Sequence, residues 1–235
     1  MEKSLILAPH VFLTLDDLSR AGKHVLRFAR MKGAQASPLP QSIVEKLVPV
    51  DLIPFVQIYQ WPDNEVAAIV VNTSIVHETQ RWELAEALVS ALSQADVQQL
   101  TIIAAMHLPY AKDNALNVFY SDLNVGEDWK ADVAMLPQAD RSWELKDPWL
   151  SAFLHFISVE QWPRTHLLLA KGYKPGRDLS GTYEAVNHLS QAIEIYTKGK
   201  MTFDVLEVQR NLPRLLAEEK TVATAGNDYY TLLYQ

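Results

Sequence analysis

The chain has 235 residues, 49% hydrophobic and 21% charged, enough apolar material to build one substantial core. A net charge of −7, with Lys and Arg spread thinly, excludes the basic stripe of a nucleic-acid binder. The absence of cysteine excludes disulfides, thiolate catalysis and Cys-based zinc sites, and fits a reducing compartment.

The apolar runs, such as residues 67–71 and 167–170, fall far short of the roughly 20 residues that cross a bilayer. Near Met1 the apolar stretch is broken by Pro9 and His10 and then by Asp16 and Asp17, which argues against a secretory signal. A cytoplasmic or nuclear protein without membrane contact is expected.

In chain order, "SLILAP" (residues 4–9) reads as a first buried strand. "DDLSRAGKHVLRFARMKG" predicts a helix with Leu18, Val25, Leu26 and Ala29 on one face and Gly33 as its stop. Residues 34–54, with Pro38, Pro40, Pro49 and Pro54, read as a long connection. "FVQIYQ" alternates like a half-buried strand. Beyond the turn "WPDN", "EVAAIVVNTSIV" has the continuous apolar run of a central strand covered on both faces.

"TQRWELAEALVSALSQ" carries Trp82, Ala85, Leu88, Val89 and Leu92 at helical spacing, and "QLTIIAAMHL" is the next strand. Strand, helix, strand is a βαβ unit and implies parallel pairing. Residues 109–147 read as an irregular surface excursion. "DPWLSAFLHFISVEQW" opens a helix with Asp147 as N-cap and Pro148 in the first position. "THLLLAKGY" is a strand, "KPGRDLSG" a loop and "TYEAVNHLSQAIEIYT" an amphipathic helix. A last helix spans about residues 203–219, with Pro213 inside it. The alternation predicts a three-layer α/β/α sandwich around a mostly parallel sheet, one domain over residues 1–220, and a flexible tail over 221–235.

The sequence offers little chemistry. The loop holding Gly172, Gly176 and Gly181 follows a strand and opens a helix, where phosphates often bind. It matches neither a Walker loop nor a dinucleotide fingerprint, so it reads as a connection. "HETQR" begins like a zinc-protease motif but has Arg81 where the second histidine should stand, and His77 with Glu78 reads as a helix start. Asp122, Glu127, Asp128 and Asp132 lie in a polar segment with nothing to desolvate them. No G-x-S-x-G elbow is present. His107, His155 and His166 border apolar runs and read as core or boundary residues. Trp82, Trp149 and Trp162 read as packing, the role aromatics share with interface anchors. No catalytic residue, cofactor or metal site is expected.

The end of the sequence, "NDYYTLLYQ", is unusually apolar for a terminus. Leu233, Tyr234 and Gln235 fit the hydrophobic–tyrosine–any-residue motif (HbYX) of proteins that dock on the proteasome α-ring. From about residue 65 onward the chain resembles the proteasome assembly chaperone 1 family, paired α/β proteins that guide α-ring assembly. The resemblance lies in "EVAAIVVNTSIVHETQRWELAEALVSAL", "VQQLTIIAAMHL" and "PWLSAFLHFISVEQWPRTHLLLAKGY". It implies a non-enzymatic chaperone that forms a heterodimer with a second assembly chaperone and contacts proteasome α-subunits. Leu233, Tyr234 and Gln235 would enter an α-subunit pocket. Which member of the pair it is stays open. So do two other readings: a small-molecule α/β enzyme of nucleosidase or hydrolase type, and a tail that caps its own sheet.

Overall fold

Four strands alternate so that successive side chains enter opposite cores, and this builds the molecule from its middle outward. The computed structural model describes all residues except 1–6, 18, 64, 127–135, 141, 145, 173–179 and 232–235; for residues 219–231 it describes the backbone alone. β1 (His10–Leu15), β6 (Val66–Val71), β7 (Gln99–Met106) and β9 (Arg164–Lys171) are parallel, in the order β6-β1-β7-β9. Antiparallel strands complete the seven-stranded sheet. β5 (Val56–Gln60) and the short β4 (Ser37–Pro38) lie on one side, and β8 (Val118–Leu123) on the other.

On one face Val11, Leu13 and Leu15 join Leu100, Ile102, Leu167 and Leu169 in a core shared with three helices. These are α2 (Gln41–Leu47), α3 (Arg81–Gln94) and α4 (Pro148–Glu160). On the other face Phe12, Ile103, Leu168 and Ala170 pack with a second set of elements. They are α1 (Ala21–Val25), α5 (Ser180–Tyr196) and α6 (Val205–Thr231). A small antiparallel sheet joins that layer, made of β2 (Ala29–Met31), β3 (Ala34–Gln35) and β10 (Met201–Phe203). The expected three-layer α/β/α sandwich around a mostly parallel sheet is the observed architecture. The unit β6–α3–β7 is parallel as expected, with β1 inserted between its two strands.

Several expectations need correction. The first strand is His10–Leu15, and Leu7 and Ala8 are buried ahead of it. Pro9 reads as a stop in the sequence but precedes the strand, which it does not interrupt. The long helix expected from residue 16 onward shrinks to Ala21–Val25 and a 3-10 turn, Leu26–Phe28. Its remainder, Ala29–Met31, pairs instead with Met201–Phe203, 170 residues away, and tertiary pairing overrides local propensity.

The connection at 34–54 holds β3, β4 and α2. The excursion at 109–147 contains β8, whose partners Thr165 to Ala170 lie on a strand read separately in the sequence. The last helix continues past residue 219 to Thr231, carrying Pro213 within it. Ala223 and Ala225 favour that continuation. Residues 221–231 therefore rise about 1.5 Å each, less than half the reach of an extended leash.

The start of α4 follows the sequence closely. Asp147 Oδ1 accepts the backbone N–H groups of Trp149 (2.9 Å) and Leu150 (2.8 Å), and Pro148 occupies the first turn. Asp147→Ala is expected to lower stability by about 1 kcal/mol, read from the urea midpoint at unchanged slope.

Candidate functional site

In open parallel sheets the ends of the strands on the carboxyl side form the usual ligand crevice. Here the carboxyl end of β1 is filled by the protein itself. Asp17 is buried, and its Oδ1 accepts the N–H groups of Ser19 (3.0 Å) and Ala21 (3.0 Å) while Oδ2 accepts that of Gly22 (2.6 Å). A Cβ on Gly22 would stand 2.6 Å from Asp17 Oδ2 and 2.9 Å from the Ile103 carbonyl oxygen, so the turn tolerates no side chain there. Gly172, at the end of β9, is equally tight: a Cβ would meet Ser19 Oγ at 2.7 Å. Beside this turn the buried Lys23 ammonium pairs with Asp16 at 2.9 Å. The position where an anion could sit under α1 is thus held by the protein's own carboxylate.

At the opposite end of the strands lies a neutral polar network. His10 Nε2 and Thr101 Oγ1 are 2.8 Å apart, Thr101 Oγ1 lies 2.9 Å from the Tyr196 hydroxyl, and Gln99 Nε2 donates to that hydroxyl at 2.5 Å. His166 Nδ1 is 3.0 Å from the Tyr120 hydroxyl. Burial, reinforced by repulsion from His166 and Lys200, lowers His10 to about 3. Burial also lowers His166, against the pull of Asp122, and raises Tyr196 to about 12 despite the hydrogen bonds with Thr101 and Gln99. A general base works best with a pKa near the operating pH, and these groups are moved away from it. The network knits β1, β7, β8, β9 and α5 together. Its directly bonded pairs are up to 97 residues apart in sequence, so no local pattern could have exposed it.

Two surface features remain. A cleft of about 790 Å³ opens at the end of β7, walled by His107, Leu108, Tyr110 and Trp143 and rimmed by Asp140, Glu144, Lys146 and Asp147. Asp140 is held below the usual carboxylate range by the backbone N–H and hydroxyl of Ser142. The second feature is aromatic. Trp82 of α3, 49% exposed, meets His155 (5.4 Å between ring centroids) and Phe156 (5.9 Å) of α4 edge-on, and Val159 is exposed one turn further on. Trp149 lies beneath the Arg81 guanidinium at 5.7 Å.

The residues singled out in the sequence are dispersed. His77 caps a 3-10 turn through its Nδ1, and Arg81 pairs with Glu78 at 2.8 Å. Among the described residues no His, Asp or Glu cluster is arranged to hold a metal ion. Trp82 and His155 lie on the surface and not in the core. Asp122 sits at the end of β8, while Glu127, Asp128, Asp132 and Gly176 lie outside the described residues, as do Leu233, Tyr234 and Gln235. Among the described residues no helix is long and apolar enough to cross a membrane.

With these features in view, comparison of the whole fold is informative where sequence comparison is not. No family model and no curated protein matches the chain. Among solved structures, PbaA of Pyrococcus furiosus, an archaeal homolog of proteasome-assembly chaperone, matches with a TM-score of 0.57 at 12% identity, covering 89% of each chain. The chain has the fold of PbaA. PbaB of the same organism, an archaeal proteasome activator, matches with a TM-score of 0.57 at 12% identity over 92% of this chain and 94% of its own. A Thermoplasma acidophilum protein of unknown function matches with a TM-score of 0.64 at 14% identity, covering 100% of this chain and 93% of its own.

Asp17 gives the site a pH signature. Burial raises its carboxyl to about 6 from 3.8, against the lowering effect of hydrogen bonds from Gly22, Ala105, Ala21 and Ser19. The native state therefore holds this proton more tightly than the unfolded chain. The stabilisation is full below about pH 4 and is lost as pH rises to about 6. Relative to Asp17→Asn, the wild-type unfolding free energy should fall by up to about 3 kcal/mol across that window, as measured by denaturant titration at several pH values.

Proposed function

We propose that this chain is a non-enzymatic assembly chaperone for the proteasome core particle, working as a heterodimer with a second assembly chaperone. The observation that carries the proposal is the shared fold with PbaA over nearly the whole of both chains. Likeness to PbaB points to the same class of partner. The hydrophobic–tyrosine–any-residue sequence of Leu233, Tyr234 and Gln235 adds support independent of fold. The exposed Trp82 and Val159, flanking the half-buried Phe156, form a surface of the kind that protein partners cover.

In this reading α6 presents the end of the chain to a pocket between α-subunits. Leu233 and the Tyr234 ring enter it, each contributing about 1.5–3 kcal/mol when buried. A lysine in the pocket pairs with the carboxylate of Gln235. Ordering the terminus offsets part of this gain, so firm attachment needs the folded body as a second contact. The protein acts in the cytoplasm or nucleus. It fills the role of assembly chaperone 1, or that of its pair member.

The cleft at the end of β7 favours one alternative, a small-molecule enzyme of nucleosidase or hydrolase type. Against it, the buried polar network of His10 and His166 lies at the opposite end of the strands and contributes nothing to that cleft.

Removing residues 233–235, or changing Tyr234→Ala, should weaken pull-down of α-subunits by the heterodimer in a graded way, with fold and pairing intact. Unchanged capture would overturn the docking role of the tail. The double change Arg177→Ala with Asp178→Ala should leave α-ring assembly intact, as measured by native gel of assembly intermediates. Loss of assembly in a folded, paired variant would favour the enzyme reading.

A further inference from the structure

The second face of the sheet is not covered evenly, and a groove of about 350 Å³ remains over β5 and β6, outside every feature used above. Its floor is Ala68 and Val70 of β6, and Leu26 and Ala36 wall it from the small-sheet side. This volume is at the small end of natural ligand pockets.

The polar side chains on its lining are Arg27, Gln35, Gln57, Tyr59 and Trp61, and the Gln35 amide already donates to Glu207. Trp61 is 1% exposed and lines the groove, yet its indole N–H has no acceptor among the described residues. An unpaired buried donor is costly, and proteins seldom keep one without a use. Gln57 accepts the Tyr59 hydroxyl through Oε1 (2.8 Å), which leaves its amide NH2 as the part available to a ligand. Arg27, exposed at the rim, makes no ion pair or hydrogen bond among the described residues, in a chain whose net charge is −7. No carboxylate lines the groove among the described residues. Glu207, which accepts from Gln35 at 3.3 Å, is already paired with Arg30 at 2.7 Å.

We infer that this groove binds a small amphipathic carboxylate. Its apolar body, aromatic or branched aliphatic, would lie on Ala68, Val70 and Leu26. Its carboxylate would meet the Arg27 guanidinium and the Gln57 amide, with an oxygen directed to the Trp61 N–H. A planar fork of donors is well matched to a carboxylate. The shared chemistry admits a free acid or the carboxyl terminus of a peptide. The site is independent of the proteasome reading.

The test uses the intact, 15N-labelled protein with phenylacetate and its uncharged methyl ester, following the Trp61 indole N–H resonance. That resonance is assigned by its loss in Trp61→Phe. Phenylacetate should shift it saturably, and the ester should bind at least tenfold more weakly. Arg27→Gln should weaken phenylacetate at least tenfold. Ala36→Leu, on a partly buried wall outside the main core, should abolish binding in a folded protein. An acetylated tripeptide ending in a free leucine carboxylate forms the second arm: tighter binding than phenylacetate assigns the site to peptide termini, weaker binding to free acids. No shift at millimolar phenylacetate overturns the inference. So does equal binding of acid and ester, or full binding by Ala36→Leu.

Discussion

The structure depends on the complete burial of β1. It is hydrogen-bonded along both edges, to β6 and to β7, and its side chains enter both cores. A strand in that position has no solvent face, which favours residues that are apolar or internally satisfied, and the buried Thr14 hydroxyl, without a partner among the described residues, is the exception. Val11, Phe12, Leu13 and Leu15 meet the first condition. His10 meets the second through Thr101, and Asp17, just beyond the strand, meets it through backbone N–H groups including those of Ser19, Ala21 and Gly22.

The two ends of the parallel strands carry different polar arrangements. At the carboxyl end, the position beyond β1 is closed by Asp17, with Gly22 and Gly172 allowing the backbones to approach, while the cleft at the end of β7 stays open. At the amino end, His10, His166 and Tyr196 are held neutral by burial and tie α5 to the sheet. Both arrangements place titratable groups where they join elements together.

The surface is correspondingly uneven. The α3/α4 side carries an aromatic ridge in which Trp82 is held in place by edge contacts with His155 and Phe156. The opposite side carries α6, joined to the small sheet by the Arg30–Glu207 ion pair and to the core by Val208, Leu212 and Leu216. Helix and small sheet together leave the groove over β5 and β6 uncovered. The aromatic ridge and the groove thus lie on different layers of one sandwich, and a change in one need not disturb the other.

The sequence by itself determined the elements whose period or cap is local. The apolar runs of β6, β7 and β9, the 3.6-residue pattern of α3 and α5, and the Asp147–Pro148 start of α4 all depend on neighbours a few residues away. The α/β/α class follows from their alternation. The hydrophobic–tyrosine–any-residue ending is likewise legible only in sequence, since residues 232–235 lie outside the described structure. Tertiary structure decided what depends on distant partners. Ala29–Met31 became a strand because Met201–Phe203 pairs with it, and Val118–Leu123 because it pairs with β9. The Asp17 turn, the His10–Thr101–Tyr196 network and the Trp61 groove each join groups with no sequence signal in common. Burial and hydrogen bonding across the sheet act between residues that only folding brings together, and so no local pattern could announce them.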